Sequence, residues 1–403
     1  MRIKKSFLCL AACALLVSCG STKAPVMKLG QESFLQYQQE TTQWVSEHRH
    51  FVSTDKASEL SFNTPFEVKP AKPNGRGILF IHGLGDSPFT FTDLARDLAD
   101  HGYLVRVILL PGHGTKPADM IGSDSALWEK VVDEQMELLA KDVKEVWIGG
   151  FSTGGNLAIN YAYKHSNVRG MVLFSPAIEV KTNLIKLAPA VDLFVTWLRA
   201  PDEKNARQTP FKYTTVPLDG IVAFKNTMDT AFQDVSQKQY SKPSIVALSQ
   251  HDSILPTKKI ASLFEKQLTS PYSRILWYGQ NQPELKSDKF LIRTDYLPEE
   301  RIESFAHMSM TFSPDNTWYG KDGKFRYCLN SMSAEGNLKC QTEKDIWRGA
   351  WGATDGTKVF ARLTFNPYYQ WQLKQILEVL EAGAKTTDRF NIKETVEDVS
   401  KAN

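Results

Sequence analysis

Short apolar runs alternate with amphipathic segments along most of this chain. From residue 76 onward, apolar runs of strand length predict strands at Ile78–Ile81, Tyr103–Leu110, Glu145–Ile148, Gly170–Phe174, Ser244–Leu248 and Arg274–Tyr278. Apolar positions at helical spacing predict helices between them, most clearly at Phe91–Asp100, Ala126–Lys141, Gly154–Lys164 and Lys258–Gln267. This alternation indicates an α/β fold, a mostly parallel sheet with helices on both faces.

Long segments interrupt the alternation. Residues 177–241 separate two predicted strands and contain an amphipathic stretch from Leu184 to Leu198, while residues 280–304 and 315–365 are polar. Long segments within a compact α/β domain are usually lids or functional insertions. We therefore predict one domain over residues 51–382 with a cap at 177–241, an extra insertion at 315–365, a closing helix at Asn366–Glu381 and a polar tail at 383–403.

The N-terminus has the pattern of an export signal. A basic segment, Met1–Lys5, precedes the apolar run Phe7–Val17, which is too short to span a bilayer and is typical of a signal peptide. The following Leu16-Val17-Ser18-Cys19 resembles the lipobox of bacterial lipoproteins. That resemblance implies a signal peptide over 1–18 and a lipid at Cys19. The residue after the cysteine is Gly20 and not Asp, which resembles the pattern of sorting to the outer membrane of the cell envelope, facing either the periplasm or the cell surface. An ordinary cleaved signal with an incidental cysteine is the alternative.

Residues 19–50 then form a lipidated tether that ends in a helix, predicted at Glu32–His48. Acyl chains on Cys19 would hold the protein at a membrane surface, at about 0.8 kcal/mol per buried methylene.

The charge balance gives no reason to expect a nucleic-acid partner. The 403 residues include 48 Lys and Arg against 45 Asp and Glu, and the excess of +3 equals Arg2, Lys4 and Lys5 of the signal segment. Without that segment the chain is formally neutral, so a basic binding surface has no support. With 42% hydrophobic and 23% charged residues, the composition is that of an ordinary globular protein.

Two cysteines remain after the predicted processing site. Cys328 and Cys340 are an even pair in an exported chain, and we predict that they form a disulfide, although two unpaired buried thiols are the alternative.

The segment Gly150-Phe151-Ser152-Thr153-Gly154 matches the pattern G-x-S-x-G. It lies between a predicted strand and a predicted helix, which is the context that its mechanics require. There the serine projects from a sharp turn, and glycines allow the neighbouring backbone to pass close by. Ser152 is therefore the candidate nucleophile, against the alternative of an idle serine in a glycine-rich turn.

A serine nucleophile needs a base and an acid that orients the base, and with this type of turn they follow it in the order acid, then histidine. Of the three later histidines, His165 lies at the far end of the helix and His251 directly adjoins Asp252. His307 is the remaining candidate base, and Asp252 follows a strand end where an orienting acid belongs. Turn capping by Asp252 and a surface-loop role for His307 are the alternatives.

The oxyanion of an acyl-transfer reaction needs two backbone N–H donors. The residue after the nucleophile, Thr153, supplies one, and Leu84 in the segment His82-Gly83-Leu84-Gly85 supplies the second. A dinucleotide-binding loop fails at the third glycine position, which is Pro88. His82 is expected to form structural hydrogen bonds.

Four motifs in this order resemble the α/β-hydrolase superfamily, in particular bacterial carboxylesterases and monoacylglycerol lipases: Ile81-His82-Gly83-Leu84-Gly85, Leu110-Pro111-Gly112-His113-Gly114-Thr115, the Ser152 motif and His251-Asp252-Ser253-Ile254-Leu255-Pro256. The resemblance covers about residues 75–315 and the closing helix. It implies a triad of Ser152, Asp252 and His307, oxyanion donors at Leu84 and Thr153, and a cap over the site. The segment before His307 is longer than the family pattern, and residues 315–365 have no counterpart in it.

The resulting hypothesis is a serine hydrolase that cleaves small or lipid carboxylic esters. It needs no metal, cofactor or obligatory protein partner. The alternatives are an aminopeptidase or amidase, for which Asp192, Asp202 and Glu203 of the cap could bind an amine, and a non-catalytic envelope lipoprotein.

Overall fold

The computed structural model describes residues 26–202, 205–280, 287–328, 330 and 333–383. The predicted signal peptide, Cys19 and nearly all of the polar tail lie outside the described residues. Within the described ranges the main sheet has eight strands: β1 (Phe66–Val68), β2 (Arg76–Ile81), β3 (Leu104–Ile108), β4 (Glu145–Phe151), β5 (Val168–Phe174), β6 (Ser244–Ser249), β7 (Arg274–Tyr278) and β8 (Phe290–Arg293).

Helices cover both faces of this sheet. The described helices are α1 (Phe34–His48), α2 (Lys56–Phe62), α3 (Thr92–Asp100), α4 (Ser125–Asp142), α5 (Thr153–Lys164), α6 (Ala188–Asp192), α7 (Leu218–Gln237), α8 (Thr257–Gln267), α9 (Ala334–Thr342) and α10 (369–383). Side chains of α1, α4, α5, α7 and α8 share one apolar core on one face of the sheet, and α3 and α10 pack in the core on the other face.

The strand order is β1-β3-β2-β4-β5-β6-β7-β8, with β1 antiparallel and the following strands parallel. The predicted α/β class, with a mostly parallel sheet and helices on both faces, is confirmed. Parallel strands place their carboxyl ends at one edge, so the loops after β2, β4, β5 and β6 lie together.

The sequence pattern missed two strands at the sides of the sheet. β1 is three residues long, and β8 lies within the polar segment 280–304. Both are only partly buried, because each has a neighbour on one side only. An outer strand needs fewer apolar residues than a central one, so its sequence signal is weaker.

The N-terminal helix is part of the domain core. Phe34 and Tyr37 of α1 are buried against the β2 and β3 side of the sheet. The Tyr37 hydroxyl donates to the carbonyl oxygen of Leu109 at 2.9 Å. The predicted boundary at residue 50 therefore does not separate this helix from the domain.

The predicted cap is shorter in the structure. Ala223, Phe224 and Ala231 of α7 are buried in the main core, so α7 belongs to the helical layer of the sheet. The part of the predicted cap that precedes α7 is residues 177–217, of which 177–202 and 205–217 are described, and this part is called the cap below. A helix with one apolar face has the same spacing in a cap and in a core layer, so periodicity did not distinguish the two.

The 315–365 insertion contains α9 and a two-stranded parallel sheet, β9 (Ile346–Gly349) and β10 (Val359–Arg362). Cys328 and Cys340 form a disulfide next to this small sheet. None of the helices in the described ranges is both long and apolar enough to cross a membrane.

Candidate active site

Ser152 occupies a strained turn between β4 and α5. Its backbone has φ 54° and ψ −114°, a conformation that non-glycine residues rarely adopt. The Ser152 N–H donates to the carbonyl oxygen of Phe174 at 3.0 Å, and the N–H of Ala177 donates to the Ser152 carbonyl at 3.3 Å. These contacts with the end of β5 and the segment after it hold the strained turn, and strain of this kind clusters at functional sites.

Glycines are required on both sides of Ser152. A methyl group on Gly154 would lie 1.9 Å from the carbonyl oxygen of Ile81, and one on Gly150 would lie 2.2 Å from the carbonyl carbon of Gly154. No real Cβ atom tolerates such distances, so the backbones of β2, β4 and α5 approach closely only because these side chains are missing.

Asp252 and His307 meet Ser152 at the carboxyl edge of the sheet. The His307 Nε2 atom lies 3.0 Å from the Ser152 Oγ atom, and His307 Nδ1 lies 2.6 Å from the Asp252 Oδ2 atom. The Asp252 side chain is fully buried, and its other oxygen accepts the N–H groups of Ile254 and Leu255 at 2.8 and 3.0 Å. The structure thus brings the three predicted residues into one hydrogen-bonded chain.

Two serines that the sequence did not single out hold the His307 loop. The Ser249 hydroxyl at the end of β6 donates to the carbonyl oxygen of Phe305 at 2.9 Å. The Ser175 hydroxyl donates to the carbonyl oxygen of His307 at 3.3 Å, and Ser175 itself has a positive φ of 42°. Both serines directly follow or end strands of the core, which is the one sequence signal that could have identified them.

The loop after β2 lies directly against the serine. A methyl group on Gly83 would be 3.3 Å from the Ser152 Cβ atom. The backbone N–H of Leu84 follows in this loop, and the N–H of Thr153 is at the first position of α5, where an N–H has no acceptor within its helix. The two predicted oxyanion donors therefore lie on the two backbone segments next to Ser152.

Two buried histidines fix this loop. Gly85 N–H donates to His113 Nε2 at 3.0 Å, and Leu110 N–H donates to His82 Nε2 at 3.1 Å. Burial lowers the pKa of His82 to about 4 and that of His113 to about 3, so both rings are neutral acceptors at neutral pH. His82 has the structural role that we expected, whereas the sequence did not indicate the role of His113.

His165 and His251, the other two histidines that follow Ser152 in the sequence, have other partners. His165 stacks on Tyr161 at the end of α5, with 4.1 Å between the ring centroids. His251 Nδ1 lies 2.5 Å from Asp295 Oδ2, and this hydrogen bond raises the pKa of His251. Asp252 therefore faces His307, and its neighbour His251 has a different carboxylate partner.

The cap begins and ends beside the site. At its start, the Lys181 ammonium donates to the carbonyl oxygen of Asp252, and the backbone N–H of Lys181 donates to the carbonyl oxygen of Ile254. Near its end, the Tyr213 N–H donates to the carbonyl oxygen of Gly85 at 2.7 Å. Residues 177–217 therefore connect the acid loop to the loop that contains Leu84.

Five large apolar side chains of this cap are more than half exposed: Leu184, Leu187, Leu193, Phe194 and Leu198. These side chains project into solvent and do not form a core of the cap.

The strand order, the strained serine turn and the buried acid together define the chain as an α/β hydrolase. The sequence profile of the family described as serine aminopeptidase, S33, matches residues 72–278, just over half of the chain. The chain belongs to this family and is a hydrolase.

Its relatives include lipases and esterases. The chain is 25% identical over 195 residues to a thermostable monoacylglycerol lipase of Bacillus sp. (strain H-257), covering 47% of this chain and 75% of the relative. It is 19% identical over 228 residues to a carboxylesterase of Bacillus subtilis (strain 168), covering 54% and 88%. Among solved structures, the monoacylglycerol lipase of Paleococcus ferrophilus is 19% identical with a TM-score of 0.43, covering 53% of this chain and 88% of that one.

Proposed function

We propose that this protein hydrolyses carboxylic esters through an acyl-enzyme at Ser152. The observation that carries the proposal is the hydrogen-bonded chain from the Ser152 Oγ atom through His307 to the buried Asp252 carboxylate. This is the arrangement that a serine nucleophile needs to lose its proton as it attacks a carbonyl carbon.

Each residue has one role in the proposed mechanism. His307 Nε2 takes the Ser152 proton during attack, and Asp252 accepts the Nδ1–H and so holds the required tautomer. The N–H groups of Leu84 and Thr153 stabilise the oxyanion. His307 then protonates the leaving alcohol, and afterwards it removes a proton from the water that hydrolyses the acyl-enzyme.

The exposed apolar side chains of the cap favour an ester with a long acyl chain as the substrate. The five exposed apolar side chains lie on the segment that connects the acid loop to the loop with Leu84. Contiguous exposed apolar groups mark a surface that contacts apolar ligands or lipid. A monoacylglycerol lipase among the relatives agrees with this substrate class.

We also propose that the protein is a lipoprotein of the bacterial outer membrane, attached through acyl chains on Cys19. The support is the sequence Leu16-Val17-Ser18-Cys19 after an apolar run. Metabolic labelling with an alkynyl fatty acid should modify the wild-type protein but not Cys19→Ser. Labelling that persists in Cys19→Ser would contradict the anchor without touching the esterase proposal.

The central experiment is a panel of substrates for the full chain. It combines p-nitrophenyl esters of increasing acyl length, monoacylglycerols and aminoacyl p-nitroanilides with labelling by a fluorophosphonate. We expect labelling at Ser152 and turnover of esters that rises with acyl length. An absence of both labelling and turnover would instead favour a non-catalytic lipoprotein.

An aminopeptidase activity is the second candidate, because Asp192 of the cap and Asp219 at the start of α7 are a close pair of carboxyl groups. Burial raises the pKa of Asp192, and the charge of Asp219 and a hydrogen bond with Asp219 raise it further. Such a pair could attract a substrate ammonium group. Asp202, by contrast, is engaged in a turn with Asn205, and Glu203 lies outside the described residues. Faster turnover of aminoacyl anilides than of esters would establish this alternative.

A further inference from the structure

A second, polar cleft lies between the 299–301 turn and the 315–365 insertion. Its volume is about 550 Å³, and its lining residues do not include Ser152, Asp252 or His307. In the described part of the chain, three acidic residues line it, Glu299, Glu300 and Asp322. Six basic residues line it as well: Arg301, Lys321, Arg326, Lys344, Arg348 and Arg362.

Two of the arginines lie on adjacent strands of the insertion. Arg348 is in β9 and Arg362 is in β10, and both are half-buried. The Arg362 guanidinium lies 4.8 Å from the centre of the Tyr327 ring, and that of Arg348 lies 5.5 Å from the Phe365 ring. An aromatic side chain therefore lies against each of the two half-buried guanidinium groups, which we call the floor of the cleft.

Among the described residues, the carboxylates balance only part of the positive charge that lines this cleft. Arg301 pairs with Asp345 at 2.8 Å, and the Lys321 ammonium lies 3.7 Å from Glu300. Within the described ranges, however, no carboxylate lies within 4 Å of the Arg348 or Arg326 side chain. Arg326 donates to the backbone carbonyl oxygens of Cys340 and Glu343.

The electrostatics agree with a surplus of charge. Burial lowers the pKa of Arg348, and the nearby Arg326 and Arg301 guanidiniums lower it further, whereas the Asp322 carboxylate raises it. Burial also lowers the pKa of Arg362. Half-buried cations of like sign repel one another unless an anion lies between them.

We propose that this cleft binds a phosphate-bearing anion, with Arg348 and Arg362 at its floor and Arg326 and Lys344 at its rim. A guanidinium donates two parallel hydrogen bonds to a phosphoryl group. A phosphoryl group has at least two free oxygens, and the four oxygens are arranged tetrahedrally around the phosphorus atom. Its acceptor sites therefore do not lie in one plane, and they can meet two guanidiniums on different strands. The acceptor sites of a carboxylate lie in one plane, so a carboxylate fits two guanidiniums on different strands less well. The phosphate comes from a phosphomonoester or from the phosphodiester of a lipid headgroup.

The test is titration calorimetry on the full chain at constant ionic strength set with chloride. The probes are glycerol 1-phosphate, a monoester; glycerophosphoglycerol, a soluble phosphodiester headgroup; and succinate, a dicarboxylate. We expect saturable binding of at least one phosphate compound and binding of succinate at least about tenfold weaker. A preference for the monoester identifies a free metabolite as the source, and a preference for the diester identifies a lipid headgroup.

The matched variants separate the cleft from general surface charge. Arg326→Gln with Lys344→Gln changes two exposed rim residues, so folding should be kept. We expect it to weaken phosphate binding by about tenfold or more, since each charge-assisted hydrogen bond contributes measurably. Lys339→Gln removes an exposed cation of the same insertion that does not line the cleft, and it should change binding less than twofold.

The proposal would be overturned by a lack of saturable phosphate binding in the wild type, by equal binding of succinate, or by equal weakening in the Lys339→Gln control. Arg348→Gln provides a second variant at the floor. If it remains folded by circular dichroism and still binds phosphate as the wild type does, the cleft is not the site.

Discussion

The sheet edge and the segments inserted between its strands are built in opposite ways. At the edge, Ser152, His307 and Asp252 are joined by hydrogen bonds. Ser175 and Ser249 tie the His307 loop to strand ends, and His113 joins the loop after β3 to the loop that contains Leu84. The cap exposes large apolar side chains, and Phe194 is 87% exposed. The core therefore fixes the positions of the proposed reacting groups, whereas the inserted segments present the surfaces that can select a substrate.

The largest effect should come from the serine at the sheet edge. Replacing Ser152 by Ala removes the proposed nucleophile, and we expect ester turnover to fall by about 10⁶-fold. The fluorophosphonate label should be lost as well, with circular dichroism unchanged. Ser46→Ala, an exposed serine in α1, is the control and should retain activity. Ester turnover that is retained in Ser152→Ala would show that Ser152 is not the nucleophile.

The second prediction concerns the acid at the same edge. Asp252→Asn keeps the size of the side chain but not the charge that holds the His307 tautomer, so kcat should fall by about 10⁴-fold. Asp295→Asn is the matched control, because Asp295 is a buried carboxyl group that faces His251. We expect kcat in this control to change less than tenfold. A larger loss in Asp295→Asn than in Asp252→Asn would reverse the assignment of the acid.

The difference between the two regions also explains what the sequence could predict. The strands and the serine turn follow from consecutive residues, because Gly150, Ser152 and Gly154 must satisfy one local geometry. The position of Asp252 follows from where a parallel strand ends, and His307 follows from the order of acid and then histidine after this type of turn. Those residues could therefore be identified without coordinates, although they are far apart along the chain.

The contacts of the inserted segments could not be predicted in the same way. The apolar spacing of Leu184–Leu198 is the same whether the stripe packs inside or faces solvent, and the apolar spacing of α7 is the same in a cap and in a core layer. The roles of His113 and Ser175 depend on contacts with Gly85 and His307, which are distant in sequence. Local patterns contain no information about such pairings.

The third prediction tests how far the insertion contributes to stability. Cys328→Ser with Cys340→Ser opens a loop with a sequence separation of 12, and loop-closure entropy gives a loss of about 3 kcal/mol. Urea unfolding monitored by tryptophan fluorescence measures it. Because the disulfide lies in the insertion and not at the sheet edge, turnover of a short ester should change less than tenfold. An unchanged unfolding midpoint would mean that the insertion unfolds separately from the core.

The smallest expected effect lies in the cap, and it distinguishes the two regions most directly. Leu193→Ser and Phe194→Ser change side chains that are 79% and 87% exposed, so the free energy of unfolding should change by less than about 0.5 kcal/mol. If these side chains contact the acyl chain, each loses about 1 kcal/mol of apolar contact with a long substrate. We therefore expect kcat/KM for a dodecanoyl ester to fall by about three- to tenfold in each variant, while that for a butyryl ester stays within twofold. Leu338→Ser in α9, another exposed leucine at 62%, is the control and should affect neither ester. An equal loss of kcat/KM for both esters would mean that the cap affects the catalytic groups rather than the acyl chain of the substrate. The cap would then not be a surface that selects substrates independently of the sheet edge.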